Sequence, residues 1–178
     1  VDKTAVPYFT RTFAWDITKM ADETYAEIAD GSSYTFNYTV GVTHDAGTDS
    51  LWSVKGTISI ANPNDWEDIE ADVTDAVNNG GTCTLDDPTQ ATVTVFADSY
   101  VEVDYTCTFT DGDSGTNTVT ATWDADAYHT PTGTDSGSAS FAFTTPTTLV
   151  DESITVSDSY EGTLGTVSYS APSPTYFY

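Results

Sequence analysis

Hydrophobic and polar residues alternate with a period of two along most of this chain. Val101, Val103, Tyr105, Cys107 and Phe109 fall on one parity, and Glu102, Asp104, Thr106 and Thr108 on the other. That period places successive side chains on opposite faces of a β-strand. The same pattern runs through Phe9, Phe13, Trp15 and Ile17, with Arg11 as the exception. It recurs in Tyr34, Phe36, Tyr38, Val40 and Val42, then in Trp52, Val54, Ile58 and Ile60. Ile69, Ala71 and Val73 follow, then Val93 and Val95, Val119, Ala121 and Trp123, and finally Ala139, Phe141 and Phe143. Turn-forming clusters separate these runs: Asn62-Pro63-Asn64, Asn79-Gly80-Gly81, Asp111-Gly112-Asp113 and Pro131-Thr132-Gly133. Many short strands at this spacing predict an all-β antiparallel sandwich. Only Met20 to Asp30 carries a signal for a helical turn.

The stretch from Tyr34 to Asp45, followed by that from Val54 to Val77, resembles the Ig-like conserved repeat of large bacterial and archaeal cell-surface proteins. The matching residues are the Tyr38 to Val42 strand, the Ile60 to Asn64 turn and the Val73 to Asp75 strand end. Residues 96–110 and 116–123 are similar to the closing strands of that repeat. The resemblance covers residues 30–145 and implies an Ig-like sandwich in a cell-surface stalk, fibre or adhesin. It brings no catalytic residues with it. Residues 146–178 read as three further strands, an incomplete β unit too small for a core of its own. They are expected to pack on the sandwich, on the N-terminal strand region of residues 1–29, or on a neighbouring molecule.

Composition narrows the function. Hydrophobic residues make up 38% and aromatic residues 13% of the chain, enough to bury a core. Four Lys and Arg against 28 Asp and Glu give a net charge of -24. Nucleic acid and anionic membrane surfaces repel such a field, whereas cations and uncharged polymers such as glycans do not. No run approaches the roughly 20 apolar residues of a membrane span. The chain begins at Val1, so a removed leader or a longer parent chain is expected; an extracellular, cell-surface location is expected from its pair of cysteines instead.

Several residues invite chemistry. Cys107 and Cys83 share inward parities with their neighbours, which suits a disulfide; two buried thiols are the alternative. Asp111, Asp113 and Asn117 space oxygen ligands across a glycine-rich loop and could hold calcium, or form a solvated turn. Asp65, Glu67 and Asp68 offer a weaker set. Lys19 and Asn117 both have inward parity, as an isopeptide bond between them would require, although a snorkelling lysine fits as well. Asn37-Tyr38-Thr39 is a glycosylation sequon. His44 and His129 read as surface histidines without a nucleophile beside them. Trp52 and Trp123 have core parity, which leaves Trp66 as the exposed platform for a sugar.

No catalytic centre is expected, and no cofactor beyond calcium. The expected role is a structural subunit or repeat of an extracellular filament, assembled with copies of itself by donation of a β-strand. Phe9, Phe13, Trp15 and Ile17 on a long strand from Ala5 to Lys19 would form the subunit contact, with Tyr176, Phe177 and Tyr178 at the other end. The competing expectation is a calcium-dependent adhesin or glycan-binding module.

Overall fold

A computed structural model describes all of Val1–Tyr178 and contains β-strands, turns and a single 3-10 turn at Pro88–Ala91. In chain order the strands begin with β1 (Asp2–Lys3), β2 (Val6–Thr12), β3 (Trp15–Ala21), β4 (Tyr38–His44) and β5 (Thr48–Asn62). Next are β6 (Ile69–Val77), β7 (Thr82–Leu85), β8 (Thr92–Val95), β9 (Ser99–Thr108) and β10 (Gly115–Thr122). The last five are β11 (Thr134–Phe141), β12 (Thr148–Val150), β13 (Ser153–Asp158), β14 (Gly162–Ser168) and β15 (Thr175–Phe177). The chain divides into two compact units, Val1–Thr10 with Asp49–Thr148, and Arg11–Thr48 with Leu149–Tyr178.

The first unit is a sandwich. One sheet has the order β12-β2-β5-β9-β7, with β1 also paired to β5; the other has the order β11-β10-β6-β8. Alternation puts Val103, Tyr105 and Cys107 of β9 inward, where they meet Val73 of β6 and Val119 and Ala121 of β10. Each such side chain stabilises the fold by roughly 1.5–3 kcal/mol on burial. The turn at Asn62 is held from within: its side-chain amide donates to the carbonyls of Glu67 and Val95, at 2.9 and 3.1 Å.

The second unit is smaller. β4 lies between β3 and β15, and the β13-β14 hairpin supplies Val156 and Val167 to a core shared with Val40 and Val42. The boundaries therefore differ from those expected at residues 29/30 and 145/146. Residues 146–178 hold four strands rather than three, and those after Val150 find their core against β3 and β4.

Three local expectations are corrected. The strand expected from Ala5 to Lys19 breaks at Phe13-Ala14, so Phe9 is buried in the first unit and Phe13 in the second. β4 starts at Tyr38, leaving Tyr34 exposed and packed edge-on against Phe36. No helix forms between Met20 and Asp30. Tyr25 and Ile28 are exposed, so the apolar side of this stretch meets no packing that would support a short helix.

Candidate functional site

The most unusual chemistry lies inside the first unit and starts from Gly56. The carbonyl of Thr4 comes so close to this glycine that a Cβ built there would sit 2.1 Å from the oxygen. With no side chain in the way, β1 docks on β5, and Thr4 donates its N–H to the Thr57 carbonyl at 3.0 Å. The Tyr105 hydroxyl donates to the Thr4 carbonyl at 2.6 Å. Lys3, opposite Ile58 in this register, is thereby turned into the core with its side chain 0% exposed.

Two polar groups from the opposite sheet meet it. Asp75 on β6 shares the inward parity of Ile69, Ala71 and Val73, and its side chain is 2% exposed. Asn117 on β10 shares the parity of Val119 and Ala121 and is fully buried. The Lys3 Nζ contacts Asp75 Oδ1 and Asn117 Oδ1. Asn117 Nδ2 donates to Asp75 Oδ2 at 2.9 Å, so one carboxyl spans both nitrogens. The Tyr105 ring closes the site, with its centroid 3.9 Å from Nζ.

Electrostatics follow from this burial. Removal from water lowers the Lys3 pKa, and the hydrogen bond and charge of Asp75 oppose the shift. Burial, then the charge of Asp75, raises that of the Tyr105 hydroxyl. A buried ion pair recovers its desolvation cost only with good geometry and further hydrogen bonds, which Asn117 supplies here. The site thus holds an amine, a carboxyl and a carboxamide in mutual contact without water.

The disulfide forms its far wall. Cys83 on β7 and Cys107 on β9 are register partners and are bonded, as their parities suggested. Closing this loop stabilises the fold by about 3.5 kcal/mol on the chain-entropy model. The Asn117 Nδ2 lies 3.0 Å from the Cys107 sulfur and 3.4 Å from that of Cys83. Asp75, Cys83 and Cys107 also cluster in the manner of metal ligands, but both sulfurs are bonded to each other and neither is a thiolate.

Other expected sites fare differently. Asn117 does not join Asp111 and Asp113 as a calcium ligand, because its parity turns it into the core, whereas Asp111 caps a turn by accepting the Asp113 N–H at 3.2 Å. Of the weaker set, Asp68 accepts the Ala97 N–H at 2.9 Å. Lys19 does not meet Asn117: it lies in the second unit and pairs with Asp158 at 2.6 Å, beside the rings of Tyr38 and Tyr178. Asn37 is exposed and donates its amide to Asp22 at 2.6 Å.

Among the residues expected at a subunit contact, Phe9 stacks on Trp52 and Phe13 on Tyr169, both buried within their own chain. Trp15, Tyr176 and Tyr178 pack against the second core, leaving Ile17 and Phe177 exposed. His44 lies against Phe13 and Trp15. His129 lines a cavity of about 570 Å³ with Trp66, Trp123, Asn64 and Asp135.

Lys3 and Asp75 were missed in the sequence. Asp75 was legible as an acid continuing the inward parity of β6, whereas a two-residue strand gives Lys3 no periodicity to read. No family model, curated protein or solved structure matches the chain.

Proposed function

We propose that this protein is a structural module of an extracellular surface filament or stalk, built on an Ig-like sandwich. The supporting observation is how the strands are fastened. The disulfide ties β7 to β9, and the buried Lys3, Asp75 and Asn117 tie β1 to β6 and β10. Cross-ties of this kind maintain a shape. The disulfide agrees with an oxidising, exported setting, and the net charge of -24 with a solvated, mutually repelling surface.

The observed burial bears on assembly. Donating the strand that carries Phe9 and Phe13 to a neighbour would remove both from their own cores, at roughly 1.5–3 kcal/mol each. The reading therefore favours a self-complete bead, joined to others along a chain or end to end, over exchange of this strand. Electron microscopy of the purified protein tests it. Filaments, or regularly spaced beads in a longer parent chain, are the expected result.

A glycan-binding surface module is the second reading, and one observation favours it. Trp66, 71% exposed, and Trp123 border the cavity, where Asn64 keeps a buried amide nitrogen without a hydrogen-bond partner. Aromatic faces with a few polar donors suit a sugar. Isolated monomers that bind a glycan array, and lose binding on Trp66→Ala, would replace the structural reading with this one.

A further inference from the structure

We propose that Lys3 and Asn117 become joined by an amide bond that the folded chain makes by itself, with Asp75 carrying the protons. Three observations carry this. The Lys3 amine stands against the Asn117 carboxamide in a site closed to water. The two oxygens of Asp75 face different nitrogens, Oδ1 the incoming Nζ and Oδ2 the departing Nδ2. Finally, Lys3 is one of only four cationic side chains in a chain of net charge -24, yet it is buried where it can neutralise no surface charge.

The chemistry balances without any co-reactant. Asp75 takes a proton from the Lys3 ammonium, leaving a neutral amine, which is the nucleophilic form. Nζ attacks the Asn117 Cγ, a bond forms between them, and Oδ1 gains the charge of a tetrahedral intermediate. The protonated Asp75 lies beside the reacting atoms and donates to the departing Nδ2, while the proton lost by Nζ returns to its carboxylate. The Cγ–Nδ2 bond breaks and ammonia leaves. The product is a secondary amide between β1 and β10. The proton first taken from the Lys3 ammonium leaves Asp75 with the ammonia, as ammonium, so that Asp75 is a catalytic residue that returns to its carboxylate.

Placement does most of this work. Holding amine and amide in contact converts a slow bimolecular aminolysis into a unimolecular step. The Tyr105 ring and the disulfide exclude the water that would otherwise compete for the amide. The inference stands whether or not the module belongs to a filament, because every group it needs lies within the first unit.

Intact-mass spectrometry of the full chain decides it. The expected species is lighter than the sequence mass by about 17 Da for the ammonia, in addition to about 2 Da for the disulfide. Proteolysis should then give one branched peptide carrying both Lys3 and Asn117. Asp75→Asn should restore the missing ammonia while the disulfide and a cooperative melt persist, and Asn117→Ala should do the same. A wild-type mass lower by the disulfide alone overturns the proposal. A branched peptide that persists in Asp75→Asn overturns the role of Asp75. Should a variant fail to fold, the wild-type mass and peptide map still decide whether the bond exists.

Discussion

The two units use the same kind of strand and hold together by different means. The first buries twelve residues in one continuous core and adds a disulfide and a buried polar cluster across its strands. The second has a core cluster of four valines, packs aromatic rings around them, and adds an ion pair between the exposed Lys19 and Asp158. Small cores bury a smaller share of their surface and are correspondingly marginal. Cross-ties therefore sit in the unit that already has the larger core. This suggests that they serve to fix particular strands rather than to rescue a weak fold.

The strongest way to break this contrast is Asp75→Ala. It leaves the Lys3 charge buried without its partner, which costs about 3–5 kcal/mol. Calorimetry should show the melting of the first unit shifted down and that of the second unmoved. Replacing Cys83 and Cys107 with alanine should cost about 3.5 kcal/mol, again in the first unit alone. If either change lowers both transitions equally, the units are one cooperative body and the contrast fails.

A matched pair sharpens the contrast from the other side. Val42→Ala and Val103→Ala remove the same atoms from fully buried positions, and each should cost about 2 kcal/mol. In the first unit that loss should be absorbed, whereas in the second it should melt the unit near ambient temperature, read as lost near-ultraviolet dichroism of its tyrosines.

The smallest effect is on pH. Hydrogen bonds from Lys19, then Tyr178, hold the Asp158 carboxyl well below the usual carboxylate range. Its contribution is fully present above about pH 4 and is lost as the pH falls through the depressed value. The Lys19 ammonium is held above its ordinary value, first by its hydrogen bond to Asp158, so its share is present below about pH 10 and lost above. Wild type and Asp158→Asn should differ modestly in the melting of the second unit at neutral pH and converge in acid. Concentrated salt should shrink the difference, because the lysine is exposed.

Much of the fold was legible because alternation is a local signal. β5, β6, β9 and β10 carry their inward residues on one parity, and those parities held. What periodicity cannot show is which unit a strand serves. β2 and β3 read as one run, yet the break at Phe13-Ala14 sends their aromatic residues to different cores. The candidate site was half legible for the same reason. The parity of Asn117 turns it inward, but periodicity offers Lys19 of the long strand as its lysine partner, whereas Lys3 is positioned by the close approach of its neighbour Thr4 to Gly56. Long-range register of that kind leaves no trace in a window of ten residues.

The position of Lys3 also sets how the protein would respond to being pulled. It lies 114 residues before Asn117, and most of the first sandwich falls between them. Once the two are joined, tension entering at β1 passes through the side chains straight into β10. The intervening strands then form a slack loop that carries none of it. Hydrogen-bonded pairs such as β5 with β9 would stay folded at forces that unzip an ordinary sandwich. Extension would come instead from segments outside the tie, the second unit's β13–β15 among them. The module would lengthen in part and recoil, with its first strand never released.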